Sequence, residues 1–420
     1  MDTIAKLRHN RHSVNCHMCR SGRLVKVLDL GHQPHSDDFL SPERLNEVEF
    51  FYPLKLVSCE DCGLLQIDYF VNPEILYQTN YVYMTSANNI GVKHFHAMAE
   101  SISSRFEFPR NSLAVDIGSN DGTLLQGFRK VGFDILGVDP ATDVCRIASD
   151  NGVPVIVDFF GNAVAERISK ENGKAKVITG TNVFAHMHEL DSATAGMVHL
   201  LDEDGVLVIE APFAKDMIEK LEYDTIYHQH IGYISVKPLQ SYLARFGLEI
   251  FDVEPQEIHG GVLRYFVGHH GKRPVMPSVS SYIAEEEEFG LYDKESLKNF
   301  QARVERQRRD LLDLVRRLRD EGKSIAIVSA PAKGNTLLNY CNIDTSLVEF
   351  ATEHNLLKVG KYTPGTHIPI FSDSELLVRR PDYAIILAWN FADQIMEKLS
   401  EYREGGGQFI IPIPDPKIVN

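Results

Sequence analysis

Between Glu222 and Ser235 the chain reads EYDTIYHQHIGYIS, which brings Tyr223, Tyr227, His228, His230 and Tyr233 close together. Such a density of titratable rings is unusual for a surface linker and points to proton transfer. A second stretch, Asn182 to Glu189, reads NVFAHMHE and holds His186 and His188. Taken singly, either histidine also fits an ordinary packed role. A two-histidine metal site is the third reading, but Gln229 supplies no carboxylate for it, and HxH spacing alone is weak.

Four cysteines form two tight pairs, Cys16-x-x-Cys19 and Cys59-x-x-Cys62, with Gly63 after the second. Each pair places two thiolates on one knuckle, and four together meet the tetrahedral demand of zinc. Four sulfur donors leave no open coordination position, so the metal is expected to fold the module and take no part in chemistry. Disulfides and redox pairs are the competing readings. His12, His17, His32 and His35 lie nearby and are expected to be solvated or to support the thiolates. Cys145 and Cys341 stand alone in apolar segments and read as buried thiols.

Downstream, VDIGSNDG spans Val115 to Gly122. Gly118 and Gly122 let backbone approach a ligand, while Asp116, Asn120 and Asp121 offer acceptors to an ammonium or hydroxyl group. The pattern is not G-x-G-x-x-G, and an acidic loop suits a cationic ligand better than a diphosphate. Asp139, ending the next strand, stands where a ribose diol would sit. Asp158 with Phe159, after the third strand, could bond and flank an adenine, and Asn182 belongs to the same edge. S-adenosylmethionine meets these three demands: amino acid, ribose and adenine. An NAD-linked oxidoreductase is the alternative, and the loop argues against it.

These groups need a scaffold. LAVDI, DILGVD, VPVIVDFF, KVITG and GVLVIEAP read as buried strands alternating with the helical segments TLLQGFRKVG, TDVCRIASDNG and SATAGMVHLL. That rhythm predicts an α/β, doubly wound parallel sheet, whose ligands bind beyond the carboxyl ends of its strands. LEIFDVEPQ and GVLRYFVGHH predict an antiparallel hairpin closing the sheet edge. In that hairpin His259 is expected to shape the cleft, and Arg264 either joins it or lies on the surface. Before this domain, LVKVLDLG and FFYPLKLVSC predict a strand pair between the cysteine knuckles. After it, a helical stretch from about Ser278 to Glu321 leads to KSIAIVSAPAKGNTLLNYC, a strand, glycine-bearing turn and helix. Amides at Ala332 to Asn335, with Lys333, are placed to take a phosphate or oxyanion. No acidic strand end matching Asp139 is evident there, where Glu353-His354-Asn355 stands, so a second cofactor molecule is not expected. The expected boundaries are 1–75 for the zinc-binding module, 76–275 for the cofactor domain and 276–420 for the C-terminal α/β domain with its leading helix.

A net charge of −15 over 420 residues argues against nucleic acid or an anionic membrane as partner. No signal peptide and no run of about 18 apolar residues is evident, which suits a cytoplasmic protein.

The ordered blocks VDIGSNDGTLL, NVFAHMHEL, YDTIYHQH, HGGVLRYFV, SAPAKGNTLLNY, KVGKYTPGTHIPI, LAWNF and FIIPIPDP, together with the cysteine pairs, resemble the nucleotide-sugar C-methyltransferases of deoxysugar pathways. The resemblance runs from Cys16 almost to the C-terminus. It implies a small zinc-binding module, a class I S-adenosylmethionine-dependent methyltransferase domain and a second Rossmann-like α/β domain. It implies methyl transfer to carbon 3 of a 4-keto-6-deoxy nucleotide sugar, with His230 as base, Tyr227 steadying the substrate or enolate, and His186 near the keto oxygen. Tyr81 or Tyr83 would reach in from the segment after the zinc module, and Lys333 and Lys361 would lie near the nucleotide sugar. Where the family pattern has Glu, this chain has Gln229, which can bond a sugar hydroxyl but cannot accept a proton. A monomer or weak dimer is expected. A nucleotide-sugar binding protein that has lost catalysis, or a methyltransferase acting on another carbon or on nitrogen, remains open.

Overall fold

The computed structural model describes residues 7–78, 84–87, 89–256 and 261–420. Tyr81, Tyr83 and His259 lie outside them.

The first module is a small antiparallel sheet. Strands β1 (Leu24–Pro34), β2 (Phe51–Cys59) and β3 (Leu65–Ile67) pair in sequence order. The two predicted strands thus lie side by side, with Leu24 opposite Cys59 and Pro34 opposite Phe51. The fourth strand of this sheet comes from far along the chain. Gly232–Tyr233, just after His230, pairs with β3, so the histidine-rich segment is stitched into the cysteine-bearing sheet.

Helix α1 (Asn89–Phe106) leads into the central domain, and the order then follows the sequence rhythm: β4 (Leu113–Ile117), α2 (Thr123–Lys130), β5 (Asp134–Asp139), α3 (Thr142–Asp150), β6 (Val155–Val157), α4 (Asn162–Asn172), β7 (Ala175–Thr181), α5 (Leu190–Leu200) and β8 (Leu201–Pro212). After α6 (Val236–Ala244) come β9 (Leu248–Gln256) and β10 (Val262–His269), the predicted hairpin. The sheet runs β9-β10-β8-β7-β4-β5-β6, parallel from β8 to β6 and antiparallel at β9 and β10. The strands are apolar along their length because helices cover both faces; every residue of β4 is buried. The chain reverses direction across the sheet between β4 and β7, which opens a crevice at their carboxyl ends.

Arg264 on β10 does not lie on the surface. It is a buried arginine whose guanidinium lies 2.8 Å from Glu210 on β8, while His94 of α1 holds the other carboxylate oxygen at 2.7 Å. Burial opposes ionisation of Glu210, yet His94 and Arg264 together hold its carboxyl below the usual range. Replacing Arg264 by leucine leaves that carboxylate buried with one partner fewer. The expected loss is about 3–5 kcal/mol, read as a lower urea midpoint; an unchanged midpoint would contradict the assignment.

Helix α7 (Pro277–Phe289), expected to lead the C-terminal domain, packs on β9 and α6 of the central one. The sequence shows only its helical pattern. Its allegiance comes from Glu286, a buried carboxylate accepting the Lys237 amide at 3.1 Å and the Val236 amide, where α6 begins. Gly290 then ends α7 with φ +75°, and α8 (Lys294–Asp320) starts afresh.

Helix α8 buries Phe300, Val304, Leu311, Val315 and Leu318. The last domain continues with β11 (Ile325–Val328), α9 (Ala332–Cys341), β12 (Ala351–Glu353), β13 (Ile370–Ser372), β14 (Tyr383–Ile386), β15 (Gln408–Ile411) and β16 (Lys417–Val419). Its sheet runs β13-β12-β11-β14-β15-β16 and is parallel except at β16. One apolar cluster joins it to the first module, from Leu28 and Leu54 through Tyr223 and Ile231 to Phe300 and Ile385. Among the described residues, no helix is long and apolar enough to cross a membrane.

Candidate active site

The four cysteine sulfurs converge, all within 4.8 Å of one another. Cys16 and Cys62 sulfurs are 3.5 Å apart, as are those of Cys19 and Cys59. A tetrahedral zinc–thiolate site with bonds of 2.3 Å has sulfur–sulfur edges of about 3.8 Å, so the donor set fits zinc and none of these pairs is a disulfide. Gly63 makes the turn after the second knuckle at φ +82°, where an added Cβ would run into the Tyr292 ring. The neighbouring histidines divide. His12 and His32 are exposed, whereas His17 and His35 are buried, so the solvated alternative does not hold for these two rings. His17 donates its Nε2–H to the Met187 carbonyl at 2.8 Å, tying the first knuckle to the stretch that carries His186.

At the carboxyl end of β4, Gly118, Asn120 and Gly122 all take left-handed φ, of +71°, +48° and +79°. A Cβ on Gly118 would come within 2.8 Å of Val183, so only glycine lets the loop turn here. Asp139 accepts amides from Asn120 at 2.9 Å and Ala141 at 2.8 Å, which locks the loop against β5. Asp121 accepts the Thr123 hydroxyl at 2.6 Å and the Ser86 amide at 2.8 Å, and Asn120 accepts the Thr85 amide at 3.0 Å. Asp116 faces inward and takes the Thr179 hydroxyl at 2.6 Å. Burial, with the charge of Asp139 adding to it, raises Asp116 to about 7 despite that bond. Asp158 is exposed just past β6, and Phe159 is half-buried against the cluster containing Tyr52 and Tyr77. Asn182, at φ +52°, donates its amide to the Glu210 carbonyl at 2.7 Å. We expect Gly118→Ala to weaken S-adenosylmethionine binding about five- to thirtyfold, since the left-handed strain alone costs about 1–2 kcal/mol. Calorimetric titration checks this, and wild-type affinity in the variant would refute it.

The imidazole cluster assembles beside this crevice. His230 and His186 have ring centroids 4.7 Å apart, and Tyr227 lies 4.0 Å from His230. His230 Nδ1 is 2.7 Å from the Thr225 carbonyl. A carbonyl only accepts, so the proton sits on Nδ1 and Nε2 keeps its lone pair. Burial pushes His230 down to about 4 against the pull of that carbonyl, and burial likewise pushes His186 well below its ordinary value. Both rings are therefore neutral at physiological pH. Tyr77, which the sequence reading passes over, places its hydroxyl 3.3 Å from His186 Nδ1 and 3.2 Å from the Gln229 carbonyl. Its one sequence cue is its place at the head of YQTNYVY.

His228 and His188 serve as props. His228 donates Nε2–H to the Pro53 carbonyl at 3.1 Å, and His188 lies 2.7 Å from the Val71 carbonyl. Around His228 several buried polar atoms have no partner among the described residues: His228 Nδ1, Gln229 Oε1, His35 Nε2, Ser36 Oγ and Asn335 Oδ1. Asn335 donates to the Ser36 carbonyl at 2.6 Å, so its free oxygen is an acceptor, as is the bare His228 nitrogen. This wall is rich in uncharged acceptors.

Lys333, at the start of α9 where substrate was expected, has its ammonium engaged by protein groups as well. It donates to Asn390 at 2.8 Å, lies 4.1 Å over the Trp389 ring and stands 3.9 Å from Asp224. Lys361 is half-buried beside Asp38, where the first module meets the last domain. Glu353 at the end of β12 does match Asp139, contrary to expectation: it accepts the Ala330 amide at 3.0 Å, as Asp139 accepts that of Asn120. Its carboxylate also takes the His354 and Asn355 amides.

Three family models match in series: a zinc-binding domain over 16–77, a methyltransferase domain over 92–253 and a C-methyltransferase C-terminal domain over 257–414. The chain is 32% identical over 406 residues to C-methyltransferase NovU of Streptomyces niveus, covering 96% of each. Among solved structures, an S-adenosylmethionine-dependent methyltransferase from Anabaena variabilis matches 47% of this chain and 91% of its own, at 16% identity and TM-score 0.36. Magnesium protoporphyrin IX methyltransferase from Synechocystis matches 43% and 80%, at 13% identity and TM-score 0.32, when S-adenosylmethionine is bound to it.

Proposed function

Starting from a chain that belongs to the C-methyltransferase family with a zinc-binding domain, we propose that it methylates carbon 3 of a 4-keto-6-deoxy nucleotide sugar through an enolate. That it is an S-adenosylmethionine-dependent C-methyltransferase follows from the family itself, and the oxidoreductase alternative falls with it.

The observation that carries the finer reading is the His230 Nδ1 bond to the Thr225 carbonyl. It leaves Nε2 as a proton acceptor beside His186 and Tyr227, at the crevice where the cofactor loop ends. A carbon becomes nucleophilic once its proton is removed next to a ketone. Nε2 takes that proton, and the electron pair moves into the enolate. The Tyr227 hydroxyl and the His186 ring are the groups we assign to the oxygen that gains charge. Bound S-adenosylmethionine supplies an electrophilic methyl group, held by the 116–122 loop with Asp139, Asp158, Phe159 and Asn182. The sugar is supported by the acceptor-rich wall of Ser36, His228, Gln229 and Asn335, which suits hydroxyl donors and repels phosphate oxygens. Gln229 fits that wall as a neutral partner for a hydroxyl. Lys361 and the start of α9 are the groups we assign to the nucleotide end. Tyr81 or Tyr83 and His259 complete the pocket in this reading.

Incubating the protein with S-adenosylmethionine and dTDP- or GDP-linked 4-keto-6-deoxy sugars tests it. We expect a product heavier by one methylene, with the label at carbon 3 by NMR. Methylation confined to oxygen or nitrogen would overturn the enolate reading.

A further inference from the structure

The base sits in the central domain, but the turn that holds it is fastened elsewhere. Tyr223, Asp224 and Thr225 form one short turn. Tyr223 is fully buried and donates its hydroxyl to Gln307 of α8 at 2.7 Å. Gln307 in turn donates to the Pro412 carbonyl at 2.6 Å. The next residue, Asp224, accepts the Trp389 indole N–H at 2.7 Å, with Lys333 stacked over that indole. The third, Thr225, carries the carbonyl that receives His230 Nδ1–H, and the Tyr233 hydroxyl reaches the same oxygen at 3.5 Å.

We infer that the C-terminal domain sets the tautomer and pose of His230, with Trp389 and Gln307 acting as positioning residues through Asp224 and Tyr223. The inference rests on the reading of His230 as the base. Two consecutive side chains are gripped by one domain, and the peptide that follows decides which imidazole nitrogen bears the proton. If the Thr225 carbonyl swings away, Nδ1 loses its acceptor and the ring is free to put the proton on Nε2. It then presents a donor to the substrate, and carbon deprotonation stops. Substrate bound by the last domain next to Lys333 would thereby touch the same turn that poises the base.

The test uses the full chain with 15N-labelled histidine, the His230 ring being assigned by its disappearance in His230→Asn. Long-range proton–nitrogen correlation reads the tautomer with no substrate present, so this arm stands or falls separately from the identity of the sugar. In the wild type we expect a single Nδ1–H form. In Trp389→Phe, which keeps the aromatic body and removes the N–H, we expect mixed tautomers and a fall in kcat of up to about a hundredfold. The KM for the sugar nucleotide and the affinity for S-adenosylmethionine should stay near wild type. Trp389→His, which restores a ring N–H, should recover part of both. Gln307→Met tests the other tether independently, should Trp389→Phe fail to fold. Folded variants that keep the single Nδ1–H form overturn the proposal, whether their kcat is native or reduced.

Discussion

His230→Asn is expected to slow methyl transfer by a factor of about 10²–10⁴, the usual contribution of a positioned general base. The variant should remain folded, because the asparagine amide can still donate toward the Thr225 carbonyl that now takes His230 Nδ1–H. It loses only the second nitrogen, the one with the lone pair. Two measurements separate this from a binding defect. Exchange of the carbon 3 proton into heavy water, without the methyl donor, should vanish with methyl transfer, while cofactor affinity is kept. The wild-type pH profile carries the same signature. Burial holds His230 near 4, so the neutral, proton-accepting ring predominates at pH 7 and its own protonation should enter kcat/KM only as pH drops through about 4, apart from any limb near 7 where Asp116 of the cofactor loop gains its proton. A wild-type profile with no limb near 4, or near-native turnover in the variant, would remove His230 from the mechanism. So low a value also makes the imidazole a weak base. In the proposed mechanism the oxygen-facing groups would therefore supply much of the acidity of the carbon, and Tyr227, its ring centroid 4.0 Å from that of His230, is the group assigned to that role.

Loss of the metal should be as severe through a different route. A structural zinc site contributes an apparent ~10–16 kcal/mol in small metal-folded domains, against a total stability of ~5–15 kcal/mol for a typical domain. Cys59→Ser, or stripping the protein with a strong chelator, is expected to unfold the first module. The damage would not stop there. Strand β3 pairs with Gly232–Tyr233, and His17 beside Cys16 holds the Met187 carbonyl, so both histidine-bearing stretches lose an anchor. We expect zinc content by elemental analysis, melting temperature and methyl transfer to fall together. A zinc-free protein with full activity would show the cluster to be dispensable and would break the link between knuckles and base. Because four thiolates fill the tetrahedron, replacement by cobalt or cadmium should leave activity largely intact.

Much of the scaffold was legible because its signals are local. The strands of the central sheet could be read from buried apolar runs, and their parallel, doubly wound arrangement from the alternation with helices. The cysteine pairs announced a metal site through spacing alone, and the glycine-acid loop showed itself by residue type. His186, Tyr227 and His230 were singled out by density and by resemblance, and the structure does bring them together.

What the chain could not reveal in one dimension is who partners whom. Arg264 and Glu210 look like separate strand residues until β8 and β10 pair and bury both. Lys333 reads as a free cation at a helix start until the last domain packs on the histidine turn and Asp224 faces it. Helix α7 carries no mark of the domain it joins; Glu286 capping α6 decides that. The tautomer of His230 is the clearest case. Composition shows a histidine, but the proton's position depends on a carbonyl five residues earlier, whose own place depends on contacts with Gln307 and Trp389. Spacing and hydrophobic period encode short-range geometry, whereas burial, charge pairing and protonation are set by surroundings that exist only once distant segments have closed around each group.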